Sequence, residues 1–137
     1  GPLFENIINF AKENKIYEKC YFHGMINDPT NIIARSNFFI STSQKEGMSN
    51  SILESMACGV PVLATNIGSS DYLLKDYFRE FTFDPGDIES LYKCFLKLYN
   101  DEKLLKKYSL YLYKRAKKVF NPDLIANNYE NIYRTFN

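Results

Sequence analysis

The sequence predicts an α/β domain, a Rossmann-like parallel sheet flanked by helices. Two observations carry that expectation. Short apolar runs at 38–41 and 62–65 are too brief for helices, and the stretches between such runs repeat apolar residues at helical spacing. Strands of four or five residues alternating with helices mean a parallel sheet covered on both faces. Length adds a third constraint. At 137 residues, 45% hydrophobic and 24% charged, the chain suffices for one domain with one core. No repeat, Gly/Ser linker or low-complexity tract marks a boundary inside it.

The elements follow in order. Leu3, Phe4, Ile7, Ile8 and Ala11 recur at helical spacing, so 3–14 is read as a helix. Cys20-Tyr21-Phe22-His23 before Gly24 is read as a strand. Asp28 and Pro29 supply an N-cap and a first-turn proline for a short helix to about Ser36. Phe38-Phe39-Ile40-Ser41 is a second strand, followed by a polar loop to about Ser49. A helix from about Asn50 to Cys58 is stopped by Gly59, which tolerates a left-handed backbone. Pro61 opens a third strand at 62–65, where a missing amide is tolerated. A short helix near 70–76, a fourth strand at 80–83 and a turn at Asp84-Pro85-Gly86 come next. Helices at 87–99, 102–119 and 122–136 close the chain, the last with Asn121 as cap and Pro122 in its first turn.

Composition narrows the function. The net charge of +1 gives no bulk pull toward nucleic acid, which is not an expected partner. No apolar run approaches the roughly 18 residues that span a bilayer, and no secretory leader is recognisable. Cys20, Cys58 and Cys94 are dispersed and odd in number, which suggests free, buried thiols in a reducing, cytoplasmic setting. With one histidine, His23, they form no metal-ligand cluster. His23 sits at a strand end, where ligand contact and a structural role are both open. Residues 103–118 hold seven Lys/Arg and no acid. With Leu104, Leu105, Tyr108, Tyr111 and Leu112 as an apolar stripe, that helix either docks by its stripe or rests peripherally on anionic lipid.

In such sheets ligands sit outside the carboxyl ends of the strands, so the loops after Phe22, Ile40, Thr65 and Phe83 are the ones to watch. The stretch after Ile40 stands out. Glu46 lies in its loop, Glu54 lies one turn into the helix, and Gly47 and a helix N-terminus lie between. Free first-turn amides and the helix dipole attract an anion such as phosphate. Carboxylates on either side can accept hydrogen bonds from hydroxyls flanking that phosphate, which describes a nucleotide-sugar. Blander readings stand beside this one. Ser51-x-x-Glu54 is also a capping box, Glu46 fits a solvated loop charge, and paired carboxylates also occur in glycosidases.

Glu46-Gly47-x6-Glu54-Ser55-Met56-Ala57-Cys58-Gly59-Val60-Pro61-Val62 resembles the E-x7-E signature of the group 1, retaining glycosyltransferases of the GT-B fold. Tyr21-Phe22-His23-Gly24, the segment from Ala34 to Ile40, the turn Phe83-Asp84-Pro85-Gly86-Asp87 and the helix from Phe120 to Tyr133 resemble that family in register. The resemblance implies that Glu46, the catalytic candidate, contacts hydroxyls of the donor sugar, and that Glu54 contacts the ribose diol. It implies that main-chain amides at Gly47, Met48, Ser49 and Asn50 bind sugar and diphosphate, with Gly24 and Met25 beside the nucleobase. It calls for no metal and no cofactor beyond the nucleotide-sugar donor. Gly68-Ser69 stands where the family usually has Gly-Gly, Asp71 stands near a frequent Glu, and Ser55 replaces a commoner Ala.

The family's donor-binding domain opens with a strand-helix-strand unit carrying an Arg and a Lys for the diphosphate. That unit ends in a Gly-x-Gly-Pro-like turn, and Gly1-Pro2-Leu3-Phe4-Glu5 resembles the continuation of that turn, an expression-tag remnant being another origin for Gly1-Pro2. Residues 1–137 are therefore expected to be a single, incomplete donor-binding domain with closing helices at about 87–136. It would be the carboxyl-terminal half of an enzyme of polysaccharide biosynthesis. The acceptor, a glycan or lipid-linked glycan, would meet a separate amino-terminal domain. Alone, the chain is expected to bind donor weakly, to transfer no sugar and to self-associate through an uncovered strand edge. The alternatives are a non-catalytic nucleotide-sugar-binding module and a membrane adaptor built on the basic helix.

Overall fold

The computed structural model describes residues 2–74 and 79–136. The chain forms α1 (Phe4–Glu13), α2 (Thr30–Ala34), β1 (Phe39–Ser41), α3 (Asn50–Ala57), β2 (Val62–Thr65), α4 (Ser70–Leu73), β3 (Thr82–Phe83), α5 (Ile88–Tyr99), α6 (Glu102–Val119) and α7 (Pro122–Thr135). The three strands pair in parallel in the order β1-β2-β3, with Ser41 opposite Ala64 and Thr65 opposite Phe83. All four residues of central β2 are buried, so helices cover both sheet faces, as its unbroken apolar sequence requires. The sequence class, a Rossmann-like parallel sheet flanked by helices, is the observed one.

The core joins Ile52 and Met56 of α3 to Val62, Leu63 and Ala64, and to Leu98, Leu112 and Tyr108 of the closing helices. Tyr108 is fully buried, packs its ring 4.8 Å from that of Phe81 and donates its hydroxyl to the Val62 carbonyl at 2.8 Å. Burial pushes its phenol far above the ordinary value, so it stays protonated. The end of α3 is a Schellman turn. Gly59, at φ +70°, donates to Met56, and Val60 donates back to Ser55. Ser109 of α6 bonds the Gly59 carbonyl, which seats α6 on the turn that leads into β2.

Several expectations are corrected. Residues 20–23 form no strand. Cys20 is extended, yet among the described residues no neighbouring backbone pairs with this segment, and a strand exists only through such pairing. Phe22 instead stacks on Tyr17 at 5.8 Å and meets Phe4 of α1 edge-on. The expected strand at 80–83 is shorter: Arg79–Phe81 is a 3-10 turn and only two residues reach the ladder. The helix near 70–76 is described as Ser70–Leu73, and residues 75 and 76 lie outside the described residues. Asp28 accepts the Thr30 amide at 3.0 Å, so α2 opens one residue later than the sequence suggested. The three cysteines are free but half-buried rather than buried.

The basic helix α6 docks. Tyr108, Leu112 and Ala116 are buried, with Leu104, Leu105 and Tyr111 packed against the core, so the stripe that would enter lipid is already covered. Arg115 reaches across to the carbonyls of Tyr72 and Leu73 at the end of α4. By contrast, none of the described residues of α7 is buried. Among the described residues no helix is long and apolar enough to cross a membrane.

Candidate functional site

The loop joining β1 to α3 lies at the carboxyl end of the sheet, where β1 and β2 end side by side at Ser41 and Thr65. The buried Thr65 hydroxyl donates to the Ser43 carbonyl at 2.7 Å. Ser41 donates to the Ser43 hydroxyl at 3.5 Å, and that hydroxyl donates to Oε1 of Glu46 at 3.3 Å. The loop after β2 closes on the same residues from the other side. The Ser69 amide donates to the Gly47 carbonyl at 3.0 Å. Gly68, at φ +51°, lies so close that a Cβ there would sit 2.0 Å from the Glu46 carbonyl oxygen. Ser70 stabilises this second loop, accepting the Ile67 amide at 3.0 Å and donating to the Thr65 carbonyl at 2.6 Å. Glu46 is thereby held half-buried at a narrow polar cleft shared with Ser41, Ser49, Thr65, Ser69 and Ser70. The Ser69 hydroxyl, buried in that cleft, has no partner among the described residues.

Helix α3 starts beside this cleft. Its N-cap, Ser49, is buried and places no side chain on the first-turn amides, its hydroxyl lying instead 3.2 Å from that of Ser51. The first backbone bond of the helix runs from the Leu53 amide to the Ser49 carbonyl at 3.2 Å. The amides of Asn50, Ser51 and Ile52 therefore have no intrahelical acceptor, and the positive end of the helix dipole is uncovered. This arrangement also removes the capping-box reading. With Ser49 as N-cap, Ser51 lies inside the helix and Glu54 falls in its second turn, beyond the third helical position that such a box uses.

Glu54, Gly24 and Met25 are placed apart from that cleft. Glu54 is half-buried and borders a different concavity, a cleft of about 470 Å³ between α3 and the α6–α7 junction, with Leu53, Lys117 and Phe120. Gly47 and Met48 are exposed at the loop tip. Gly24, at φ +67°, and Met25, 97% exposed, lie in the loop after the extended segment. Among the described residues no hydrogen bond or ring contact ties them to Glu46, Glu54 or the start of α3. His23 is exposed and Lys45 is exposed. No group of three or more His, Cys, Asp or Glu among the described residues is arranged to hold a metal ion.

The sequence model of the family described as "Glycosyl transferases group 1" matches residues 1–118, most of the chain and every candidate residue from Gly24 to Glu54. The chain belongs to the group 1 glycosyl transferases. Within that family it matches the carboxyl-terminal domain. It is 26% identical over 133 residues to the N-acetyl-alpha-D-glucosaminyl L-malate synthase of Bacillus anthracis, covering 97% of this chain and 35% of the relative. It is 29% identical over 105 residues to the UDP-Gal:alpha-D-GlcNAc-diphosphoundecaprenol alpha-1,3-galactosyltransferase of Escherichia coli, covering 76% of this chain and 27% of the relative. The fold matches sucrose-phosphate synthase from Thermosynechococcus elongatus with a TM-score of 0.86 at 22% identity, over 96% of this chain and 34% of that one. The group 1 chain thus spans about a third of the length of the curated relatives it matches.

The E-x7-E spacing names Glu46 and Glu54 as candidates but not the residues that seat Glu46. Ser43, Thr65 and Gly68 have no role in the spacing argument. Gly68 alone left a signal, as the glycine of the Gly68-Ser69 pair that stands where the family usually has Gly-Gly.

Proposed function

We propose that this chain is the donor-binding part of a glycosyltransferase. The enzyme would transfer a sugar, with retention, from a nucleotide-sugar to a glycan or lipid-linked glycan. One observation supports the reading above all. The Glu46 carboxylate and the uncovered amides at the start of α3 share one loop-helix junction at the carboxyl end of a parallel sheet. The donor diphosphate would rest on those amides, Glu46 would accept hydroxyls of the sugar, and Glu54 would accept the ribose diol. Gly47, Met48, Ser49 and Asn50 would offer main-chain groups to the sugar and diphosphate, with Gly24 and Met25 flanking the base.

Chemistry follows from charge. As the sugar becomes oxocarbenium-like, negative charge gathers on the leaving diphosphate, and fixed dipoles aimed at it lower the barrier. Within this chain those dipoles are the α3 amides, with Lys45 as a cation on the same loop. Donor binding by the chain alone is therefore weak, and transfer requires further cationic groups. A lipid-linked acceptor, of the kind named for the Escherichia coli relative, would place the enzyme in the cytoplasm at the membrane face.

Titration of the 15N-labelled chain with UDP-, GDP- and ADP-sugars tests this. Amide shifts confined to 46–54 are expected with at least one donor, and Glu46→Ala reduces the affinity for sugar-bearing donors. Silence of those amides toward every donor at millimolar concentration overturns donor binding by this chain. Robust transfer by the 137-residue chain would overturn its dependence on further cations.

A further inference from the structure

Ser43 stands between two fixed points. Its carbonyl accepts from the buried Thr65 hydroxyl at 2.7 Å, which ties its backbone to the end of β2. Its own hydroxyl has one proton, donated to Oε1 of Glu46 at 3.3 Å, and so uses a lone pair to accept from Ser41 at 3.5 Å. Glu46 needs such a partner. It sits between exposed Lys45 and exposed Gly47 on a loop whose backbone is held at the Ser43 carbonyl by the Thr65 hydroxyl and at the Gly47 carbonyl by the Ser69 amide, with Gly68 packed against the Glu46 carbonyl. Those contacts fix the main chain and leave the carboxylate free to rotate. Among the described residues Ser43 makes the one side-chain hydrogen bond to that carboxylate, and it occupies Oε1 alone, leaving Oε2 for another donor.

We propose that Ser43 is a positioning residue for Glu46. Anchored by Thr65, it turns the carboxylate so that Oε2 faces the donor sugar. The inference rests on the role given to Glu46 above and adds to it the residue that sets sugar recognition apart from nucleotide recognition. Loss of the Ser43 hydroxyl releases the carboxylate without moving the backbone amides of α3. The sugar end of the donor therefore loses affinity while the diphosphate end does not.

Two measurements on the full 137-residue chain test this, using Ser43→Ala and Ser43→Thr. The first is free of ligand: the 13C signal of the Glu46 carboxylate is expected to move in Ser43→Ala and to return toward wild type in Ser43→Thr. An unmoved signal in Ser43→Ala overturns the proposal whatever the chain binds. The second compares UDP with UDP-N-acetylglucosamine, and the matching GDP- and ADP-sugar pairs. Ser43→Ala is expected to weaken the nucleotide-sugar by roughly 3–10-fold, to leave the nucleoside diphosphate within about twofold, and to be rescued by Ser43→Thr. Equal loss for both ligands, or failure of Ser43→Thr to rescue, overturns it. A shifted Glu46 signal in a chain that binds none of these probes sinks the donor-binding reading and leaves Ser43 as the residue that orients Glu46.

Discussion

Gly68 faces the carbonyl oxygen of Glu46 so closely that a Cβ on Gly68 would sit 2.0 Å from that oxygen. Two loops separated by a helix and a strand thus meet main chain to main chain, and the carboxylate of Glu46 takes its place from that meeting.

Gly68→Ala should therefore be among the costliest small substitutions in the protein. The methyl group collides with backbone and the φ of +51° is unfavourable for alanine, so a loss of about 2–4 kcal/mol is expected. Gly86→Ala is the control, since its φ is +86° and nothing lies within 4 Å of its Cβ, which leaves strain of about 1–2 kcal/mol. Chemical denaturation of both variants checks the ranking, and equal losses would mean that the loop yields.

Tyr108→Phe removes the hydroxyl that reaches the Val62 carbonyl while keeping the ring against Phe81. A loss of about 0.5–1.5 kcal/mol is expected, read as a lower denaturation midpoint at unchanged slope. A neutral substitution would show that other donors already satisfy this carbonyl.

Asp87 caps α5, accepting the Ser90 amide at 2.9 Å and the Ser90 hydroxyl at 2.6 Å. These bonds hold its carboxyl below the ordinary value of 3.8. A folded value below the unfolded one means stability that is present above about pH 4 and lost as pH falls through the folded value. Asp87→Ala should accordingly be destabilising at pH 6, and its difference from wild type should shrink steadily below pH 4. A difference that is constant from pH 6 to pH 2.5 would contradict the cap.

Tyr129, Ile132 and Tyr133 of α7 and Phe136 just beyond it face solvent as large apolar side chains, and so do Leu3, Ile7 and Phe10 near the amino terminus. Association at high concentration is expected, and Ile132→Glu should weaken it. Sedimentation velocity across a hundredfold concentration range decides the matter. A single monomeric species throughout would count against it.

Much of the architecture was legible because it rests on local signals. Gly59 ends α3 with a left-handed turn, Asn121 caps its helix, and the unbroken apolar run at 62–65 is the fully buried central strand. The segment at 20–23 misled for a physical reason: an apolar run records a preference for extension, whereas a strand also needs a neighbour. Similarly, Ser51-x-x-Glu54 has capping-box spacing, but the helix begins at Asn50 and Ser49 takes the capping position, a choice of frame that spacing cannot fix. The two candidate carboxylates stood out in the sequence through the E-x7-E spacing. The seat of Glu46 did not, because Thr65 meets Ser43 and Gly68 meets Glu46 across 22 residues of sequence, and only the pairing of β1 with β2 brings those loops together.

That pairing sets the smallest portable unit of the site. Grafting residues 41–58 onto another parallel sheet would transplant both glutamates and the start of the helix, yet leave behind the floor on which the first glutamate rests. The segment that must travel intact runs from 41 to 70, taking β2 with it as the spacer that holds one loop at the height of the other. Exchange among related enzymes, natural or engineered, should respect that longer cassette.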